Sequence, residues 1–89
     1  MMNLAKIQVR MRSLKEWSLE EEMIVNEIEF NNFKEAICFV NDVAEIAEKY
    51  NHHPDILIKY NVVKVTLTTH SEKCLTEKDF DVAEEIDKL

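Results

Sequence analysis

The chain has 89 residues, 33% charged and 46% hydrophobic, with a formal net charge of −7 and no glycine. Walker-type phosphate loops and the dinucleotide fingerprint need backbone without a Cβ beside phosphate, so a glycine-free chain excludes kinase, GTPase and Rossmann readings. The acidic balance argues against non-specific nucleic-acid binding. No apolar run reaches the ~18 residues of a membrane span, and no secretory h-region opens the chain, so a cytoplasmic protein is expected.

Residues 1–17 carry four basic groups and one acidic, whereas residues 18–48 carry one basic and nine acidic. The basic start is too short and interrupted to act as a nucleic-acid-binding arm. Leu4, Ile7, Met11 and Leu14 fall near one helical face and predict a short first helix, although Ile7, Val9 and Met11 also alternate as a strand would. From Trp17 the period drops to two. Trp17 and Leu19 precede a turn of Glu20, Glu21 and Glu22, and Ile24, Ile28 and Phe30 then oppose Glu27 and Glu29, with Asn26 breaking the apolar row. This predicts a hairpin with one half-buried face.

Asn32 stands three residues before Glu35, the spacing of a capping box, and opens a long helix. Phe33, Ala36, Ile37, Val40, Val43, Ala44 and Ala47 supply its apolar stripe. Pro54 disfavours helical geometry at the residue before it, so this helix should end near Tyr50. Strands over 56–60 and 62–69 follow, with Asn61 expected to supply the positive φ of a tight turn. The last helix opens at Thr76, with Asp79 at its third position and Leu75 and Phe80 as a hydrophobic staple. Val82, Ala83, Ile86 and Leu89 form its buried stripe. The order α-β-β-α-β-β-α predicts one α+β domain over residues 1–89, a four-stranded antiparallel sheet with helices packed on one face. Exposed edges in so small a sheet invite pairing with another subunit.

All three histidines fall within nineteen residues: His52 and His53 before Pro54, and His70 where a strand gives way to a loop. Imidazole exchanges protons near neutral pH, with a reference pKa of about 6.5. Side chains of neighbouring extended residues point apart, so His52 and His53 share a pocket only if the chain turns sharply at His52; otherwise their roles differ. The competing readings are a solvated His-His pair with His70 decorating a polar strand face, and a three-histidine zinc site, which no HExxH or CxxC spacing supports. Cys38 reads as filler beside the helical stripe, and Cys74 as a loop thiol open to exposure. Reduced thiols are the simplest account of two distant cysteines.

Glu48, His52-His53-Pro54, Tyr60, His70 and Asp79 follow the pattern E-x3-H-H-P, five residues, Y, nine residues, H, eight residues, D. In this the chain resembles the pterin-4a-carbinolamine dehydratases. The resemblance extends back through Phe30, Phe33, Glu35 and Ala36 and forward through Leu75-Thr76-Glu77-Lys78-Asp79, covering most of residues 17–89. It implies a hydro-lyase that converts 4a-hydroxytetrahydrobiopterin to quinonoid dihydrobiopterin in tetrahydrobiopterin recycling, with no metal or organic cofactor. His52, His53 and His70 would be the catalytic residues, one side chain protonating the departing hydroxyl and another removing the N5 proton. Pro54, Thr69, Ser71 and Glu72 would line the pterin site, and Glu48 and Asp79 would orient histidines or contact the ring. A homodimer or homotetramer built through sheet edges is also implied, with no nucleic-acid or membrane partner. The alternative is a non-catalytic interaction or transcriptional cofactor module on the same fold. Two departures stand out: Ser71-Glu72-Lys73-Cys74 fills a loop that often carries glycine in the family, and the first sixteen residues match weakly.

Overall fold

Asn3 caps the first helix: its side-chain oxygen accepts the Lys6 N–H at 2.9 Å, satisfying an amide with no partner inside the helix. In this computed structural model, which describes residues 2–89, that helix, α1, runs Leu4–Arg12. Ile7 and Met11 pack against the core, while Leu4 and Val9 stay exposed, so the helical reading of this segment holds over the alternating one. Arg10 fixes α1 in place. Its guanidinium lies 5.5 Å from the Phe80 ring centroid, bonds Asp81 at 2.9 Å and Glu84 at 3.1 Å, and also pairs with Glu77. Burial opposes the Arg10 charge, but the hydrogen bonds to Asp81 and Glu77 and the nearby Glu84 outweigh it and raise its pKa.

Strands β1 (Ser18–Glu20) and β2 (Met23–Glu29) form the hairpin, and Glu21 turns it with φ 53° where glycine is the usual choice. Helix α2 spans Phe33–Tyr50. Asn32 accepts the Glu35 N–H at 2.9 Å, as its spacing predicts, but the Glu35 carboxylate returns to the Asn31 N–H instead of the Asn32 N–H. Strands β3 (Asp55–Lys59) and β4 (Val62–Leu67) make the second hairpin, and helix α3 covers Glu77–Ile86. The positive φ of this hairpin turn falls on Tyr60, at 49°, and not on Asn61. Asn61 is held differently: its side-chain amide donates to the Phe30 carbonyl at 2.9 Å, and its own carbonyl accepts the Phe30 N–H at 2.7 Å. Strand β4 also ends two residues before Thr69, which pairs instead with Cys74 in an isolated bridge.

The sheet order is β1-β2-β4-β3 with every pair antiparallel, and the four strands and three helices follow the predicted order. Val63, Val65 and Leu67 alternate along β4 and join Ile24 of β2 on the inner face. The helices cover that face with Ala36 and Val43 from α2 and Phe80, Val82, Ala83 and Ile86 from α3. Opposite-face positions such as Glu27, Glu29 and Lys59 remain exposed, and burial alternates strictly along β4, whereas Ile24, Val25 and Asn26 of β2 are all buried. The staple residues Leu75 and Phe80 are both in the core. Two cysteine expectations are overturned: Cys38 is exposed, because it lies off the stripe that meets the sheet, and Cys74 is buried where the Thr69 bridge draws it inward. Phe33, Ala44 and Leu89, assigned to buried stripes, are likewise exposed.

Candidate active site

Helix α2 stops at Asn51, whose φ of 49° and ψ of 45° turn the chain left-handed. Asparagine tolerates that geometry better than most residues with a Cβ. The His52 N–H then reaches back to the Ala47 carbonyl at 3.1 Å, folding the chain under the helix end. The sharp turn lies one residue before His52, and the two histidines leave it in different directions. His52 is 10% exposed with its Nε2 2.5 Å from Asp79 Oδ1, whereas His53 is 56% exposed with its Nε2 2.5 Å from Glu48 Oε2. The Glu48 side chain is itself 76% exposed, so this second pair sits in solvent and contributes little to stability.

Asp79 is fully buried at the third position of α3. Its Oδ2 accepts the Thr76 N–H at 2.9 Å and the Thr69 hydroxyl at 2.8 Å, and its Oδ1 faces His52. Two donors and the His52 ring nitrogen thus surround one carboxylate, which is how a buried acidic group is satisfied. The Thr69 hydroxyl has one proton and gives it to Asp79, so at its 2.7 Å contact with the Thr76 hydroxyl it is the acceptor. Thr76 is the member that sequence reasoning missed, although its Thr-x-x-Asp spacing was the signal that turns Asp79 back over it.

His70 follows Thr69 directly, so the backbone carrying it is tied to the same network. It is exposed and begins a turn closed by the Glu72 N–H to Thr69 carbonyl bond at 3.0 Å and the Lys73 N–H to His70 carbonyl bond at 3.2 Å. Lys73 adopts φ 56° there, the left-handed position that glycine fills most easily. Ser71 and Glu72 are exposed at the tip, and Pro54 is half-buried at the start of β3. Tyr60 lies at the far end of the β3–β4 hairpin and is 67% exposed, away from His52. The structure therefore joins His52, Asp79, Thr69 and Thr76 in one bonded chain with His70 beside it, and pairs His53 with Glu48 separately.

A groove of about 990 Å³ lies elsewhere, and none of the histidines lines it. Asn26, Ile28, Phe30, Cys38, Phe39 and Leu89 are among its walls. Among the described residues no group of three His, Cys, Asp or Glu side chains is arranged to hold a metal ion.

A paired-layer α+β fold carries its histidines at strand and helix ends, one of them gripped by a buried carboxylate, and imidazole exchanges protons near neutral pH. Comparison with known proteins gives the class. The sequence pattern described as Pterin 4 alpha carbinolamine dehydratase matches residues 1–89, including the N-terminal segment that resembled the family least. The chain is 51% identical over 85 residues to a Trichormus variabilis protein provisionally named pterin-4-alpha-carbinolamine dehydratase, covering 96% of this chain and 91% of that one. A Sulfurisphaera tokodaii protein with the same provisional name is 43% identical over 84 residues, covering 94% and 90%. The crystal structure of a transcriptional coactivator/pterin dehydratase from Brucella melitensis matches with a TM-score of 0.92 at 34% identity, over 98% of this chain and 95% of that one. A pterin dehydratase-like protein identified as a RuBisCO assembly factor in the alpha-carboxysome shares the fold, with a TM-score of 0.66 at 19% identity. The chain belongs to the pterin-4-alpha-carbinolamine dehydratase family.

Proposed function

We propose that this protein is a hydro-lyase that dehydrates a 4a-hydroxytetrahydropterin, with 4a-hydroxytetrahydrobiopterin as the expected substrate. The step breaks the C4a–O bond, removes the N5 proton and forms the C4a=N5 bond, releasing water and quinonoid dihydropterin without any change in electron count. It needs an acid at the departing hydroxyl and a base at N5, and imidazole serves for both near neutral pH. The observation that carries this reading is the buried His52–Asp79 pair, tied through Thr69 to the strand end that bears His70. His52, His53 and His70 divide the acid and base roles. Asp79 and Glu48 orient His52 and His53, and Pro54, Ser71 and Glu72 border the ring.

We also place the protein in a homodimer or homotetramer. Among the described residues strand β1 pairs only with Met23–Val25, so on the side away from β4 the β2 edge from Asn26 to Glu29 has no strand beside it. An uncovered edge above an open groove suits association through the sheet. Among the described residues no helix is long and apolar enough to cross a membrane. A second reading, a non-catalytic interaction module, draws on that same groove and on the Brucella melitensis protein, whose description includes transcriptional coactivator.

The test is to add purified protein to freshly generated 4a-carbinolamine and follow quinonoid formation. Acceleration over the spontaneous rate, with His52→Ala and His70→Ala each lowering it by roughly 10²-fold or more, supports the enzyme. A wild-type rate equal to the spontaneous one overturns it. Partner binding that survives replacement of all three histidines would favour the module.

A further inference from the structure

We infer that Asp79, Thr69 and Thr76 are positioning residues that hold neutral His52 as its Nε2–H tautomer, leaving Nδ1 as the nitrogen that exchanges a proton with the substrate. The inference rests on the proposed dehydratase reading for the substrate, but its geometric part stands alone. Asp79 Oδ2 faces two donors, the Thr76 N–H and the Thr69 hydroxyl, so it carries no proton itself. In the ionised carboxylate Oδ1 presents an acceptor to His52 Nε2 at 2.5 Å, and a neutral ring can meet an acceptor only with its N–H.

Nδ1 is the remaining nitrogen. Among the described residues it has no hydrogen-bond partner, and it is not one of the fully buried side-chain atoms left unpaired, so it is free to meet a substrate. His52 is thus a mostly buried side chain, 10% exposed, with one ring nitrogen held and the other unpartnered. The Thr76 hydroxyl donates to Thr69, which aligns the Thr69 proton on Asp79; the chain runs in one direction, from Thr76 to Thr69 to Asp79. In an acyl-transfer triad a carboxylate holds the histidine tautomer in a similar way. Here the nitrogens are exchanged, with the carboxylate on Nε2.

The arrangement has a specific consequence for Asp79→Asn. The two donors at Oδ2 demand an acceptor, so the amide must turn its carbonyl towards Thr69 and the Thr76 N–H. Its NH2 then points at His52 Nε2, which has to become the acceptor. The ring is forced into the Nδ1–H form, and the unpartnered nitrogen ceases to be a base. An isosteric change would thereby invert the tautomer of a ring one hydrogen bond away.

The experiment is long-range 1H–15N correlation on uniformly 15N-labelled protein, with His52 assigned by its loss in His52→Ala and spectra taken where the ring is neutral. The expected result is Nε2–H in the wild type and Nδ1–H in Asp79→Asn, with dehydration in Asp79→Asn lower by roughly 10²-fold or more. Thr69→Val should lower kcat about 10-fold with KM unchanged, and Thr69→Ser should restore it, as a hydroxyl acting through Asp79 requires. A wild-type ring in the Nδ1–H form, or a tautomer unchanged in folded Asp79→Asn, overturns the inference. If Asp79→Asn does not fold, the wild-type tautomer and the Thr69 pair decide it, and failure of Thr69→Ser to restore kcat counts against it. The tautomer appearing as expected in a protein with no activity would overturn the dehydratase reading alone.

Discussion

Asp79→Ala tests whether the site network is also a structural support. The carboxylate is fully buried, accepts from the Thr76 N–H and the Thr69 hydroxyl, and is bonded to His52 Nε2. Alanine leaves all three without that partner. An unpaired buried polar group costs about 1–3 kcal/mol, and His52 at 10% exposure recovers part of that from water. Loss of a buried charge gives some return, since its desolvation no longer opposes folding. The balance is a destabilisation of about 2–4 kcal/mol, which for a domain of this size lowers Tm by roughly 10–25 °C. Asp79→Asn keeps a carbonyl for Thr69 and the Thr76 N–H, so its loss should stay under about 2 kcal/mol. Urea unfolding followed by far-UV circular dichroism, with equal m-values required across the set, measures both variants. Asp79→Ala within ~0.5 kcal/mol of wild type would refute the reasoning, because the three groups would then have found other partners.

Other changes test other parts of the fold. Asn26 is 5% exposed with its Oδ1 unpaired, so Asn26→Val should stabilise the monomer by about 1 kcal/mol in the same unfolding assay. A loss of stability there would mean that the amide is satisfied in the folded state. Arg10→Ala removes three partly exposed ion pairs and the Phe80 stacking, and should cost about 1–2 kcal/mol, less at high salt. Its limited proteolysis should begin in residues 2–14, and cleavage starting elsewhere would count against Arg10 as the anchor of α1. With Ellman's reagent, native protein should show one fast thiol that disappears in Cys38→Ser, since Cys74 is buried. Two fast thiols would contradict that burial.

The fold was legible wherever one short-range rule decided it. The long helix follows from Asn32, Glu35 and the stripe through Ala36, Val43 and Ala47, and its end follows from Pro54. The alternation of Val63, Val65 and Leu67 marked β4 and its inner face. Failures came where tertiary contacts overrode local preference. Asn61 was the better left-handed residue on propensity, but its bonds to Phe30 fix it, and the strained φ passes to Tyr60. Cys38 and Cys74 were misjudged because side-chain burial depends on which element packs above, and periodicity at the edge of a stripe does not show it.

The site divided along the same line. His52, His53 and His70 and their spacing were visible as a family pattern, and so was the chance that Asp79 orients a histidine. The bond between His52 and Asp79 spans twenty-seven residues and needs α3 packed against the end of α2, which no local pattern encodes. The parting of His52 and His53 was one of the two outcomes that extended geometry left open, and which of them turns inward depends on the left-handed Asn51. The glycine-free composition, which removed phosphate-loop chemistries, here means that Glu21, Asn51, Tyr60 and Lys73 take positive φ in place of glycine. Two of these, Asn51 and Lys73, shape the loops that carry the histidines.

The most direct test of the central claim is the rate of 4a-carbinolamine dehydration by the purified wild-type protein, measured beside His52→Ala under identical conditions. The account requires the wild type to exceed the spontaneous reaction clearly, and His52→Ala to fall by roughly 10²-fold or more while remaining folded. A wild-type rate no faster than the uncatalysed reaction, or a folded His52→Ala with undiminished activity, would contradict it.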